Sequence, residues 1–109
     1  MSDLETAVLK RMHGRIIKNF MDVLVLAELR KRPMSGYNVI EFIHNKFGLL
    51  VSSGTVYSLL YSLEREKLIE GKWNERERVY TLTEKGEKTI NAILNANNQI
   101  QGFMTNLLK

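Results

Sequence analysis

The sequence predicts a mainly α-helical domain with one small β-hairpin, an α+β class, and three observations predict it. Apolar residues recur at helical spacing through most of the chain; short β-branched and aromatic runs replace that spacing only between residues 68 and 83; and the charged turn Asn74, Glu75, Arg76, Glu77 divides those runs. At 109 residues, 44% hydrophobic and 26% charged, the chain has the size and composition of one globular domain with its own core. No repeat, low-complexity tract or linker divides it. Residues 1–109 therefore read as a single domain: an N-terminal helix over 1–14, a helical and hairpin body over 15–83, and a long C-terminal helix over 84–109.

In chain order, Leu4, Val8 and Met12 recur every four residues and predict a short first helix, with Gly14 a weak point before the next. Ile16 to Leu29 is apolar around most of its circumference, Ile17, Phe20, Val23, Leu24 and Ala27 included, which marks a helix at the domain's centre that Pro33 stops. Ser35 can cap the following helix, whose inner stripe is Tyr37, Ile40, Ile43 and Phe47 and whose pattern ends at Gly48. Ser52 can cap another, with Val56, Leu59, Leu60 and Leu63 on one side. Its other side carries Ser53, Thr55, Tyr57, Ser58, Tyr61 and Ser62, hydroxyls and phenols able to hydrogen-bond to base edges or phosphates, with no charge until Glu64. Strands Leu68 to Trp73 and Arg78 to Thr83 flank the charged turn, whose tip projects into solvent. Thr83 then caps the last helix from Glu84. A helix pair joined by a short turn and followed by a hairpin is winged helix-turn-helix architecture.

Composition bounds the partners. A formal charge of +4 and a pI near 9.5 are compatible with double-stranded DNA without requiring it. Lys10, Arg11, Arg15, Lys18, Arg30, Lys31 and Arg32 lie in the first third against four acids, whereas the hairpin's basic residues are matched by glutamates. The absence of cysteine excludes a disulfide framework and a thiolate metal site, which fits a reducing compartment and makes the cytoplasm the default address. The longest apolar stretch, Val23 to Ala27, is too short to span a membrane, and the acids in Met1 to Leu9 do not suit a signal peptide. His13 and His44 lack carboxylates at ligand spacing, so neither a metal nor another cofactor is expected. No nucleophile stands in a motif with a base, and no glycine-rich phosphate loop is present; no enzyme is expected.

The last helix carries a separate signal. Ile90, Ile93, Asn97, Ile100, Met104 and Leu107 form a heptad stripe in which Asn97 is the one polar member. Leu94, Ala96, Phe103 and Leu108 widen it beyond a two-helix seam, so a homodimer is expected that also enlists the N-terminal helix through Leu4 and Val8. The alternative is a helix folded back on its own domain, but so long a stripe exceeds what a small core can cover.

Three motifs then carry a resemblance. PMSGYNVIEFI at 33–43, GTVYSLLYSLEREKLIE at 54–70 and YTLTEKGEK at 80–88 together resemble the PadR-like winged-helix transcriptional regulators, over residues 16–88. Each motif alone is weak; three in order at the right spacing are specific. The resemblance implies a dimeric repressor of the short-tailed subfamily, with a single C-terminal dimerisation helix, and a small phenolic or planar aromatic effector that releases the operator on binding near the dimer interface. Two residues depart from the family pattern. Lys67 stands where the family has glycine, so a left-handed cap there is strained or the helix ends differently. The only tryptophan, Trp73, is on the hairpin instead of the dimerisation helix, which argues against multidrug sensing.

The expected function is sequence-specific DNA binding as a homodimer on an inverted repeat. Candidate DNA contacts are Ser35, Ser53, Thr55, Tyr57, Ser58 and Tyr61 around the reading helix, with Arg15, Lys18, Lys72, Arg76 and Arg78 supplying positive charge. Tyr57 could equally pack beneath its helix, and Arg76 and Arg78 could be a solvated turn. Leu9, Met12, Phe103 and Met104 are candidates to line an effector cavity between the copies, or to fill it. A nonspecific architectural DNA-binding protein and a winged-helix module for protein partners are the alternatives.

Overall fold

A computed structural model describes every residue from Met1 to Lys109. The first helix, α1 (Asp3–Asn19), starts at a reciprocal cap in which Ser2 Oγ accepts from the Glu5 N–H and the Glu5 carboxylate accepts from the Ser2 N–H. It runs through Gly14 unbroken, contrary to expectation; a glycine inside a helix costs only about 1 kcal/mol relative to alanine. The break comes at Phe20, with φ −107° and ψ 21°. After it, α2 (Met21–Leu29) buries Met21, Val25, Leu26 and Leu29. Phe20, expected inside, is 49% exposed because it forms the joint between two helices.

Beyond Pro33 the chain makes a strand that periodicity did not reveal, β1 (Met34–Ser35). Ser35 caps α3 (Gly36–Phe47) as expected: its hydroxyl accepts from the Asn38 N–H, and Asn38 Oδ1 accepts from the Ser35 N–H. Gly48 ends the helix in the left-handed conformation. Of the expected stripe, Ile43 is buried and Ile40 and Phe47 are half-buried against the core, so only Tyr37, 61% exposed, falls outside it. Val39 and Phe42 are buried beside Ile43. The next helix is α4 (Ser53–Arg65), capped by Ser52 and burying Val56, Leu60 and Leu63.

At the end of α4, Lys67 itself takes the left-handed conformation, φ 64°, and the Leu68 N–H bonds back to the Leu63 carbonyl at 3.0 Å. The hairpin follows as β2 (Ile69–Asn74) and β3 (Glu77–Leu82), paired antiparallel from Ile69↔Leu82 to Asn74↔Glu77. Only Glu75 and Arg76 form the loop, tighter than the expected four-residue turn, with Glu75 at φ 60°. The sheet order is β1-β3-β2, with Met34 opposite Tyr80 and Ser35 opposite Val79.

Thr83 caps α5 (Glu84–Asn95), its hydroxyl accepting from the Gly86 N–H. The expected single C-terminal helix is two: α5 stops at Ala96, with φ −89° and ψ 8°, and α6 (Asn97–Leu107) continues from there. Asn95, Asn97 and Asn98 crowd this joint, and asparagine side chains favour local hydrogen bonds over helix. The core gathers α2, α3, α4, the hairpin and α5 around Val25, Val39, Ile43, Val56, Leu60, Ile69 and Ile90. Ile90, expected at the dimer interface, is fully buried here, and Ile93 is half-buried against the same core; the apolar stripe therefore serves the protomer first. No residue of α1 or α6 is buried. The molecule measures 50 × 28 × 21 Å, and no helix is long and apolar enough to cross a membrane.

Candidate nucleic-acid interface

The solvent face of α4 presents Ser53, Thr55, Tyr57, Ser58 and Tyr61, all exposed. Thr55 is already engaged locally, its hydroxyl 2.8 Å from Ser52 Oγ. Tyr61 carries the Arg65 guanidinium over its ring at 5.5 Å, which places a cation beside an otherwise uncharged surface. Tyr57 both packs and presents. Its ring lies against Gly36, where a Cβ would come within 2.4 Å of the ring carbons, yet half of the side chain stays accessible. The glycine of the first motif, Gly36, thus serves this close approach between α3 and α4.

The wing divides its charges. Arg76 is exposed at the loop, free of any ion pair. Lys72 is exposed too, but strand alternation sets it on the face opposite Trp73 and Arg78. Arg78 does not extend to solvent as expected. Its Nη2 donates to Glu64 Oε2 at 2.5 Å, the Gly71 N–H donates to the same oxygen at 3.2 Å, and the guanidinium lies 5.8 Å from the Trp73 ring and 5.9 Å from the Tyr80 ring. The hydrogen bond from the Glu64 carboxylate raises the Arg78 pKa above its ordinary value, so the group stays charged. Burial raises that of Tyr80, with the Glu64 charge adding to it, so its phenol stays neutral.

Ser35 also departs from the expected set: it is 2% exposed, and its hydroxyl is committed to the α3 cap, so its side chain is withdrawn from solvent. Arg15 and Lys18 are exposed on the C-terminal half of α1 and have no hydrogen bond or ion pair with α4 or the hairpin. Three residues outside the expected set also stand at this surface. Tyr37 and Trp73, 61% and 68% exposed, join Tyr57, Arg76 and Arg78 around a cleft of about 330 Å³ between the start of α3, α4 and the wing. Glu64 is the third. Sequence spacing places Tyr37 on the inner stripe of α3, and Trp73 reads only as a hairpin residue, because local periodicity does not encode a cleft formed between elements.

The expected interface residues lie on α1, the end of α5 and α6: Leu4, Val8, Leu94, Ile100, Phe103, Met104 and Leu107 are exposed apolar side chains, and Asn97 is exposed with them. Leu9 and Met12, 42% and 38% exposed, and Phe103 and Met104 remain open to solvent. The cleft that α1 does line, about 420 Å³, is bounded by His13, Ile16, Ile17, Lys46 and Phe47 instead.

With this geometry in place, comparison with known proteins is informative. The model of the transcriptional regulator PadR-like family matches residues 25–92, from α2 through most of α5. The chain belongs to the PadR-like family of transcriptional regulators. Among solved structures, a PadR family transcriptional regulator from Eggerthella lenta is similar over 99% of this chain and 98% of its own, with TM-score 0.77 and 20% identity. A transcriptional regulator from Clostridium thermocellum is similar over 87% and 96%, with TM-score 0.73 and 21% identity. Bacillus subtilis PadR in complex with operator DNA matches 68% of this chain and 46% of its own, with TM-score 0.63 and 23% identity. The same protein in complex with p-coumaric acid matches 71% and 42%, with TM-score 0.59 and 24% identity. These likenesses show a shared winged-helix fold, and the first extends to α1 and α6 of this PadR-like chain. No curated protein matches.

Proposed function

We propose that this chain is a sequence-specific DNA-binding repressor acting as a homodimer on an inverted-repeat operator. The α4 face carries the proposal: exposed, uncharged hydroxyls and phenols stand on the helix that the fold presents beside its wing. Such a face discriminates base edges but gives little affinity for phosphates, which comes from Arg76 and Lys72 on the wing and from Arg15 and Lys18 on α1. The operator complex of Bacillus subtilis PadR supports the class of partner. In a twofold dimer each α4 enters one major groove, so half-sites lie about one or two helical turns apart. The second copy covers the apolar faces of α1 and α6, neither of which has a fully buried residue in the single chain. A small aromatic effector bound near Leu9, Met12, Phe103 and Met104 releases the DNA; the p-coumaric acid complex of the Bacillus subtilis protein supports that arm. The protein acts in the cytoplasm, beside its DNA.

Fluorescence anisotropy against operator and random duplexes tests the assignment. Arg76→Ala is expected to weaken both alike and to lower the salt slope by about 1, whereas Ser58→Ala or Tyr61→Ala narrows the gap between them by about 1–3 kcal/mol. The reverse pattern would overturn these roles. No preference between duplexes indicates an architectural protein, and no binding to either indicates a module for protein partners.

A further inference from the structure

The two arginines of the wing differ in kind. Arg76 stands at the loop without an acidic partner, whereas Arg78 is drawn back onto α4. Glu64, in the last turn of α4, joins both strands of the hairpin through one carboxylate oxygen. It accepts from the backbone N–H of Gly71 on β2, an edge strand, and from the guanidinium of Arg78 on β3, the central one. The guanidinium fits there because residue 71 has no side chain: a Cβ at Gly71 would stand 2.5 Å from Arg78 Nε. Trp73, opposite Arg78 in register, and Tyr80 bound the cation with their rings. Both partners of the ion pair are about one-third accessible, 31% for Arg78 and 30% for Glu64, so the pair is only partly screened by solvent.

We propose that Glu64 and Arg78 are positioning residues for DNA binding, a side-chain clamp that sets the wing's angle against the reading helix. The inference rests on the proposed DNA-binding function but has a test that does not. Its signature is a sign. Glu64 is a negative charge beside a surface that meets a polyanion, so neutralising it should tighten binding if electrostatics alone acted, and tighten it further if the freed Arg78 then reached a phosphate. Under the clamp, neutralisation weakens binding because the wing loses its fixed approach.

The experiment uses the full chain and two substitutions, Glu64→Gln and Arg78→Lys, with circular dichroism to establish that both fold. Binding to a palindromic duplex selected by the parent protein is expected to weaken about five- to tenfold in each. For Arg78→Lys, which keeps the charge, the salt slope stays that of the parent. In the free protein, steady-state fluorescence anisotropy of Trp73, the only tryptophan, is expected to fall in both variants as the wing loosens. Binding of Glu64→Gln as tight as the parent's or tighter, or an unchanged Trp73 anisotropy, would overturn the clamp. If the parent prefers no duplex, the DNA-binding reading fails by itself, and the Trp73 measurement still decides the clamp.

Discussion

Lys67 holds a backbone angle, φ 64°, that costs a side-chain-bearing residue about 1 kcal/mol. Its carbonyl accepts the Thr83 hydroxyl at 2.6 Å, and the next N–H closes the end of α4, so one strained residue joins the reading helix, the hairpin and α5. Both bonds use backbone atoms of residues 67 and 68. Lys67→Gly is therefore expected to keep them and to raise stability by about 1 kcal/mol in urea unfolding; a loss would mean that the lysine side chain itself supports the fold. The sequence marked this position only by the mismatch between lysine and the family's glycine. Other residue roles depend on contacts that no local pattern encodes. Gly86 was visible as part of a motif, but its cause is the Leu68 carbonyl, 1.9 Å from where a Cβ would stand. Ser35 was legible as a cap and not as buried, and Arg78 as a wing cation and not as the partner of a glutamate fourteen residues earlier.

Elements with strong periodicity or a hydroxyl cap were placed well. α3, α4 and α5 begin where Ser35, Ser52 and Thr83 put them, and the hairpin strands lie within a residue of their expected bounds. The failures share a cause: tertiary pairing or a local joint overrode a continuous pattern. β1 exists only because β3 pairs with it, Gly14 was absorbed by α1, and the stripe that suggested one long helix crosses the joint at Ala96. The same joint separates two tasks, since Ile90 on α5 belongs to the protomer's core while α6 has no fully buried residue. A helix of 11 residues with no buried side chain is marginal in water, as helices shorter than about 12–15 residues generally are. In the proposed dimer, a second copy supplies the burial that stabilises it. Phe103→Asp is expected to shift the protein from dimer to monomer by light scattering, with the helical signal of the core retained, because Phe103 is 65% exposed and lies outside the core cluster. A parent protein that stays at 12.6 kDa at every concentration would contradict this.

Across the whole molecule, the proposed function assigns specificity and affinity to different places. The compact part of the 50 Å protomer carries the α4 face and the wing, while α1 and α6 extend apolar faces that suit a partner. A charge of +4 is modest, so a single copy gains little from counterion release, and two copies on one duplex double that gain while fixing the spacing of two reading helices. Under the proposed function, dimerisation supplies what an uncharged reading face lacks. The most direct test is selection of bound sequences from random duplex DNA by the full-length protein. The expected result is an inverted repeat whose half-sites are separated by about one or two helical turns; enrichment of no sequence, or of a single half-site without its symmetric mate, would contradict a dimeric, sequence-reading regulator.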